Sequence, residues 1–255
     1  MKIDGRAIAE RIYNTLAGEI THLAITPTLA VIQVGDDEAS SIYINQKKKA
    51  AQRIGANLVH TKFPLNISIA KINKTITQYN NDSSIHGVIV QRPLPPHIKM
   101  IQIILMKKDV DGFLPHSPYT PPVAAAVMTI LNEIHVTSGN CAVIGRGETA
   151  GGPIAETLRK KGWTVTVVHS NTKNPSEIIK KARIVISCVG KGKVITRDMV
   201  HKDTILIGVG RGDYDEDEIK DIVAYYTPTP GGVGPINVAC LMQNLVKATT
   251  ASYRS

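Results

Sequence analysis

The sequence predicts an α/β protein of two α/β domains with parallel-type sheets. The second is a Rossmann-like dinucleotide-binding domain, with a cleft between the two. Three observations carry that prediction. Helix and strand patterns alternate along the whole chain, which calls for parallel strands joined by crossover helices. Pro115, Pro118, Pro121 and Pro122 crowd one stretch near the middle, as at a domain junction. A glycine-rich loop follows the first strand of the second alternating set. The 255 residues suit one or two domains and bury a core without staples.

In order, Ile8, Ile12, Leu16 and Ile20 recur at helical spacing within Ile3 to Leu23. Pro27 breaks that pattern, and Thr28 to Val34 (TLAVIQV) reads as a buried strand. Glu38 to Ile54 is helical and stops at Gly55; Ala56 to Phe63 is a strand stopped by Pro64. Ser68 to Tyr79 is helical, His86 to Val90 a strand, and Ile98 to Lys107 a short helix. Thr120 is a candidate N-cap for a helix through Val123 to Leu131. The second set has strands at Cys141 to Ile144, Trp163 to Val168, Ile184 to Ser187, Ile205 to Val209 and near Val223 to Tyr226. Helices at Pro153 to Lys161 and Ser176 to Ala182 separate the earlier ones, and a final helix runs to about Lys247. The expected domains are 1–119 with 236–255, and 120–235.

Composition excludes several classes. With 43% hydrophobic and 20% charged residues the chain is not disordered. No apolar run approaches the roughly 18 residues of a membrane span, and the N-terminus lacks the apolar stretch of a secretory signal. Cys141, Cys188 and Cys240 form neither a metal pair nor a disulfide framework, which fits a reducing cytoplasm. The net charge of +9 admits nucleic acid as a partner, but aromatics to stack bases make up only 4%. A solvated surface that also attracts anionic small molecules is an equally simple reading.

Five stretches could carry chemistry. Gly145, Gly147 and Ala150 fit G-x-G-x-x-A between a strand and a helix, where glycines admit a pyrophosphate at the helix N-terminus. About 20 residues on, an NAD site places an acid. Here Val168 is followed by His169, Ser170, Asn171, Thr172 and Lys173. Arg146, Ser170 and Lys173 suit a 2′-phosphate, so NADP is the expected cofactor. Tyr43 and Lys47 stand at i and i+4 and share a helix face; on spacing alone this could be a lysine-rich surface helix. Gln91 ends a buried strand, where an amide can hold a substrate heteroatom and a neighbouring ammonium. In Lys108-Asp109-Val110-Asp111-Gly112-Phe113 either acid could accept from an amino-bearing ring edge, or the run is an Asp-Gly turn. Pro230, Gly231, Gly232, Val233, Gly234 and Pro235 shape a backbone against which a ligand can lie.

Together, and in this order along nearly the whole chain, these stretches resemble the bifunctional methylenetetrahydrofolate dehydrogenase/cyclohydrolase family. The resemblance implies oxidation of 5,10-methylenetetrahydrofolate by NADP, then hydrolysis of the methenyl product to 10-formyltetrahydrofolate, without a metal. It implies that Lys47 is the catalytic lysine, Gln91 its support and Tyr43 a platform for the folate ring. Asp111 anchors the pterin, and Pro230 to Pro235 line the folate site. Arg146 and Ser170 match the family's 2′-phosphate contacts. A homodimer is implied in the same way. The chain departs from the family pattern at Gly147 (usually Ser), Arg92 (usually apolar), Gly208 (usually Asp) and Asn237 (usually Thr). Two other readings stand beside this one: an NADP oxidoreductase of the shikimate dehydrogenase type, against which the Pro230 to Pro235 run speaks, and a non-catalytic folate-binding relative, against which Tyr43 and Lys47 speak.

Overall fold

Strands β1 (Thr28–Val34), β2 (Asn57–Phe63) and β3 (Gly87–Val90) form a wholly parallel sheet in the order β2–β1–β3. The structure, a computed structural model, describes residues 1–98, 101 and 103–253. The chain forms two compact units, Arg11–Thr120 with Leu241–Ser255, and Met1–Glu10 with Pro121–Cys240. The three-stranded sheet belongs to the first. Its central strand β1 is buried from Leu29 to Val34 because both of its faces are covered, whereas edge strand β2 is largely exposed. Helix α1 (Gly5–Thr21) leads into the unit, and α2 (Glu38–Ile54) and α3 (Ile69–Asn81) connect the strands. Ile72 and Ile76 of α3 are fully buried against Ile32 and Val34.

The helix expected over Ile98 to Lys107 is a correction. Among its described residues only a 3₁₀ turn forms, Met106–Lys108, while residues 99, 100 and 102 lie outside the described ones. The backbone of Ile103 and Leu105 is paired with the end of α3 instead. Asn80 donates to the Ile103 carbonyl at 3.1 Å and accepts from Leu105 N–H at 3.0 Å. The buried Lys108 ammonium caps α3, donating to the carbonyls of Tyr79 and Asp82 at 2.7 and 2.6 Å.

The second unit holds five parallel strands: β4 (Asn140–Ile144), β5 (Thr164–Val168), β6 (Ile184–Ser187), β7 (Ile205–Gly208) and β8 (Tyr225–Tyr226). Their order is β5–β4–β6–β7–β8. The N-terminus extends the β8 edge: Ile3 N–H donates to the Tyr226 carbonyl at 2.8 Å, and Tyr226 N–H to the Met1 carbonyl at 3.0 Å. Helices α4 (Pro122–Glu133), α5 (Gly151–Lys160), α6 (Pro175–Lys181) and the short α7 (Glu216–Ile219) complete the alternation, and α8 (Val233–Tyr253) ends it. Pro121, not Thr120, caps α4; the Thr120 carbonyl instead accepts from Asn244 at 2.9 Å. Helix α8 runs past Lys247 because Ala248 and Thr249 are still buried. Ile184, Val185 and Ile186 of β6 are wholly inaccessible, so the core lies on the central strands.

Both sheets reverse strand order once, between β1 and β3 and between β4 and β6. The carboxyl ends of strands at such a reversal are where open α/β sheets bind ligands. Among the described residues no helix is long and apolar enough to cross a membrane.

Candidate active site

Gln91, one residue beyond β3, is fixed beside β1 by its N–H donating to the Ile32 carbonyl at 2.8 Å. Helix α2 starts three residues after β1, capped by the Asp37 carboxylate accepting from Ser40 N–H at 2.7 Å. Its buried residues Ser40, Ile44, Ala51 and Ile54 form one stripe, and Lys47 falls on that stripe. A soluble helix would normally place an apolar residue there. Lys48 and Lys49 are turned outward and exposed. The Lys47 ammonium donates to Gln91 Oε1 at 2.8 Å. Gln91 Nε2 in turn donates to the Arg92 carbonyl at 2.9 Å. Only this orientation of the amide satisfies both partners. Tyr43, one turn earlier, is 41% exposed and free to meet a ligand.

Asp111 lies close enough to Lys47 for each to act on the other's ionisation. Burial dominates at both: it pushes the lysine below its ordinary value and the carboxyl above its own, and their mutual attraction opposes each shift. Asp111 is also held up by the neighbouring Asp109 charge, and Arg92 works against that. Asp109 is itself buried and structural, its carboxylate accepting from Leu114 N–H at 3.0 Å. The sequence left open which acid faces outward; Asp111 retains partial exposure and Asp109 does not.

In the other unit the glycine loop leaves β4 beside β5 and β6. Gly145 N–H donates to the Val168 carbonyl at 2.8 Å, and Cys188 N–H to the Ile144 carbonyl at 2.8 Å. Gly145 has φ +99°, and a Cβ there would stand 3.0 Å from the Cys188 carbonyl oxygen. The close approach of helix to loop falls at Gly151, where a Cβ would collide with the Gly145 carbonyl. Ala150, the expected third motif position, is the N-cap residue before it. Sequence reasoning missed Gly151, although the Ala150-Gly151-Gly152 run contained it. A Cβ on Gly147 would meet nothing. Arg146, Ser170 and Lys173 are exposed on the neighbouring ends of β4 and β5. This loop, restricted to glycine at Gly145 and Gly151 and with cations and a hydroxyl beside it, fits a dinucleotide bearing a 2′-phosphate.

The Pro230 to Pro235 run is partly helix, because Val233, Gly234 and Pro235 form the first turn of α8. Gly232 is pressed by the protein itself, with a Cβ there 2.6 Å from the Pro228 carbonyl, and Gly5 packs directly on the Gly232 carbonyl. Gly231 has φ +109° with the Arg6 side chain beside it, and Gly234 faces open space. Of the three glycines in the run, Gly234 is the one at which a Cβ would meet nothing.

Residues 3–111 match the model of the tetrahydrofolate dehydrogenase/cyclohydrolase catalytic domain, and residues 121–253 that of the corresponding NAD(P)-binding domain. The chain belongs to the tetrahydrofolate dehydrogenase/cyclohydrolase family. It is 38% identical over 276 residues to bifunctional protein FolD 2 of Lactobacillus johnsonii, covering 98% of each chain. The bifunctional FolD enzyme of Campylobacter jejuni superposes with a TM-score of 0.92 at 32% identity, covering 98% of this chain and 99% of that one. The Trypanosoma brucei enzyme, solved with NADP and an inhibitor, gives 0.93 at 29%, covering 100% and 99%. As a member of this family the chain is a methylenetetrahydrofolate dehydrogenase and methenyltetrahydrofolate cyclohydrolase of one-carbon metabolism, with an NAD(P)-binding domain. That reading is favoured over the shikimate-type oxidoreductase and the non-catalytic relative.

Proposed function

We propose that the unit carrying β1 to β3 binds the folate and performs the hydrolysis, and that the unit carrying β4 to β8 holds NADP. One observation carries the catalytic part: a lysine on the buried stripe of α2, held at 2.8 Å by an amide whose other end is itself fixed. NADP, when bound, takes the hydride of the one-carbon bridge. The residues of the chain position the substrate and manage charge and protons. Tyr43 stacks on the folate ring, and Asp111 accepts from its amino-pyrimidine edge. The resemblance assigns Pro230 to Pro235 to the folate as well.

Loss of hydride leaves a cationic methenyl bridge, which disfavours a second positive charge nearby. Lys47, already below its ordinary value through burial, therefore sits beside the bridge as an amine. Gln91 accepts one N–H and leaves the nitrogen lone pair for water. Water's oxygen bonds to the bridge carbon while Lys47 takes its proton. The bond from that carbon to N5 then breaks as the adduct's O–H becomes the formyl C=O; that proton ends on N5, Lys47 releases its own to solvent, and 10-formyltetrahydrofolate results.

At the cofactor, Arg146, Ser170 and Lys173 bind the 2′-phosphate, and Gly145, Gly147 and Ala150 shape the pyrophosphate loop. A homodimer rests on the resemblance. Cytoplasmic residence is supported by three free cysteines, and small molecules rather than nucleic acid are the partners that the low aromatic content supports.

Lys47→Met tests the core of the proposal. A positioned base contributes roughly 10²–10⁴-fold, so hydrolysis of supplied methenyltetrahydrofolate falls by that factor and NADPH formation falls less. Hydrolysis near the parent rate removes Lys47 from the mechanism.

A further inference from the structure

The loop after β6 is tied from below by a carboxylate that has no part in the mechanism above. Asp213 is 1% exposed. It accepts from Ser187 Oγ at 2.6 Å, from Val189 N–H at 3.0 Å and from Gly190 N–H at 2.7 Å. Two successive backbone N–H groups converging on one anion make a nest, and Gly190 has the positive φ of +67° that such a turn uses. Nests commonly bind ligand anions; here the chain's own carboxylate fills one. Asp213 is anchored in turn, since its carbonyl accepts from Ile195 N–H at 2.9 Å and that of Gly212 accepts from Lys193 N–H at 2.7 Å. Gly210 must be glycine for the carboxylate to pass: a Cβ there would collide with both Gly190 N and Asp213 Oδ2.

The place of this loop gives the arrangement its purpose. It leaves β6 at the strand-order reversal, with the Cys188 carbonyl against Gly145. Ribose recognition at the end of β5 puts the adenosine on one side of the glycine loop. The other half of the dinucleotide then has to run over β6, along Cys188, Val189 and Gly190. We propose that Asp213 is a positioning residue of the cofactor site: it holds the Cys188–Gly190 loop at the height at which the nicotinamide half of NADP rests on it. This rests on reading the Gly145 loop as the dinucleotide site.

The test uses the full-length enzyme as parent, Asp213→Asn and Ser187→Ala. The asparagine retains size but, whichever way its amide lies, turns a donor toward a backbone N–H of Val189 or Gly190. NADPH formation is followed with NADP and methylenetetrahydrofolate varied separately, and hydrolysis of supplied methenyltetrahydrofolate is followed without cofactor. We expect Asp213→Asn to raise KM for NADP at least tenfold, with KM for the folate and the hydrolysis rate within twofold of the parent. Ser187→Ala, which removes one of the three donors, moves KM for NADP the same way by a smaller factor. Loss of hydrolysis in parallel with dehydrogenation, or a KM for NADP that does not move, overturns the proposal. If Asp213→Asn does not fold, Ser187→Ala decides alone: a parent-like KM for NADP overturns it. A parent that forms no NADPH would instead overturn the dinucleotide reading, so the two failures are distinguishable.

Discussion

A lysine on the inward stripe of a helix costs desolvation, and a site that keeps one uses it. The direction of its shift gives a pH prediction. As the proposed base Lys47 acts only when neutral, so hydrolysis should rise with pH and level off above the lysine's lowered pKa. The Asp111 charge works to raise that pKa. Asp111→Asn therefore moves the inflection to lower pH, measured at saturating methenyltetrahydrofolate; an inflection that stays put or moves up separates the two residues. On spacing alone the Tyr43-x-x-x-Lys47 pair could be a lysine-rich surface helix, and only the family resemblance singles out Lys47. That it alone of Lys47, Lys48 and Lys49 points inward could have been read from Ser40, Ile44, Ala51 and Ile54, which set the stripe around it. Asp213 carried no such signal. It looks like any acid in a polar loop, because the groups it binds are mostly backbone N–H, which no side-chain pattern announces.

Elements were legible where side chains set the period and obscure where the backbone pairs with something distant. Strand β1 and helix α2 have the bounds that their apolar runs and Gly55 imply. The Ile98 to Lys107 stretch has apolar residues enough for a helix, yet Asn80 and Lys108 hold its described backbone to the end of α3. Residues 1–3 run beside β8 through main-chain bonds, with the Ile3 side chain buried. Two glycines separate conformational from steric demands on elements. Gly55 ends α2 with φ +79°, and a Cβ there would reach only Ile20 at 3.7 Å. Gly55→Ala thus costs a left-handed backbone, about 1–2 kcal/mol, and lowers the melting temperature by roughly 2–8 °C with KM values unchanged. Gly151 is the opposite case: its φ is ordinary, but a Cβ would strike the Gly145 carbonyl. Gly151→Ala must push helix α5 off the loop, and its expected signature is weaker NADP binding with folate-site hydrolysis retained. Equal loss of both, with a collapsed melting transition, would mean that the glycine serves the fold alone.

At the scale of the whole molecule, two parallel sheets each place their chemistry at a reversal of strand order, and the proposed ligand anchors fall in different units. Asp111 belongs to the unit of β1 to β3, and Arg146 to that of β4 to β8. Each anchor makes charge-assisted hydrogen bonds, worth about 1.5–3 kcal/mol, or roughly 10- to 150-fold in affinity. Asp111→Ala should therefore weaken binding of the folate by that factor and leave NADP binding alone. Arg146→Ala should weaken NADP by a similar factor and leave both NAD and folate binding near the parent values. The NADP preference should sit toward the lower end of the range, because Gly147 lacks the hydroxyl that the family's serine would add, although the space for one is open. Gly147→Ser should then increase the preference. In the double variant Asp111→Ala/Arg146→Ala, each ligand titrated in the absence of the other should show only its own anchor's loss, since sites without shared partners contribute additively within about 0.3–0.5 kcal/mol. Calorimetric titration of the four proteins with each ligand is the measurement. A folate affinity that drops with Arg146→Ala, or an NADP affinity that drops with Asp111→Ala, would show that the residue supports the fold rather than a ligand. If the parent binds NAD as tightly as NADP, the 2′-phosphate is not read at Arg146 at all.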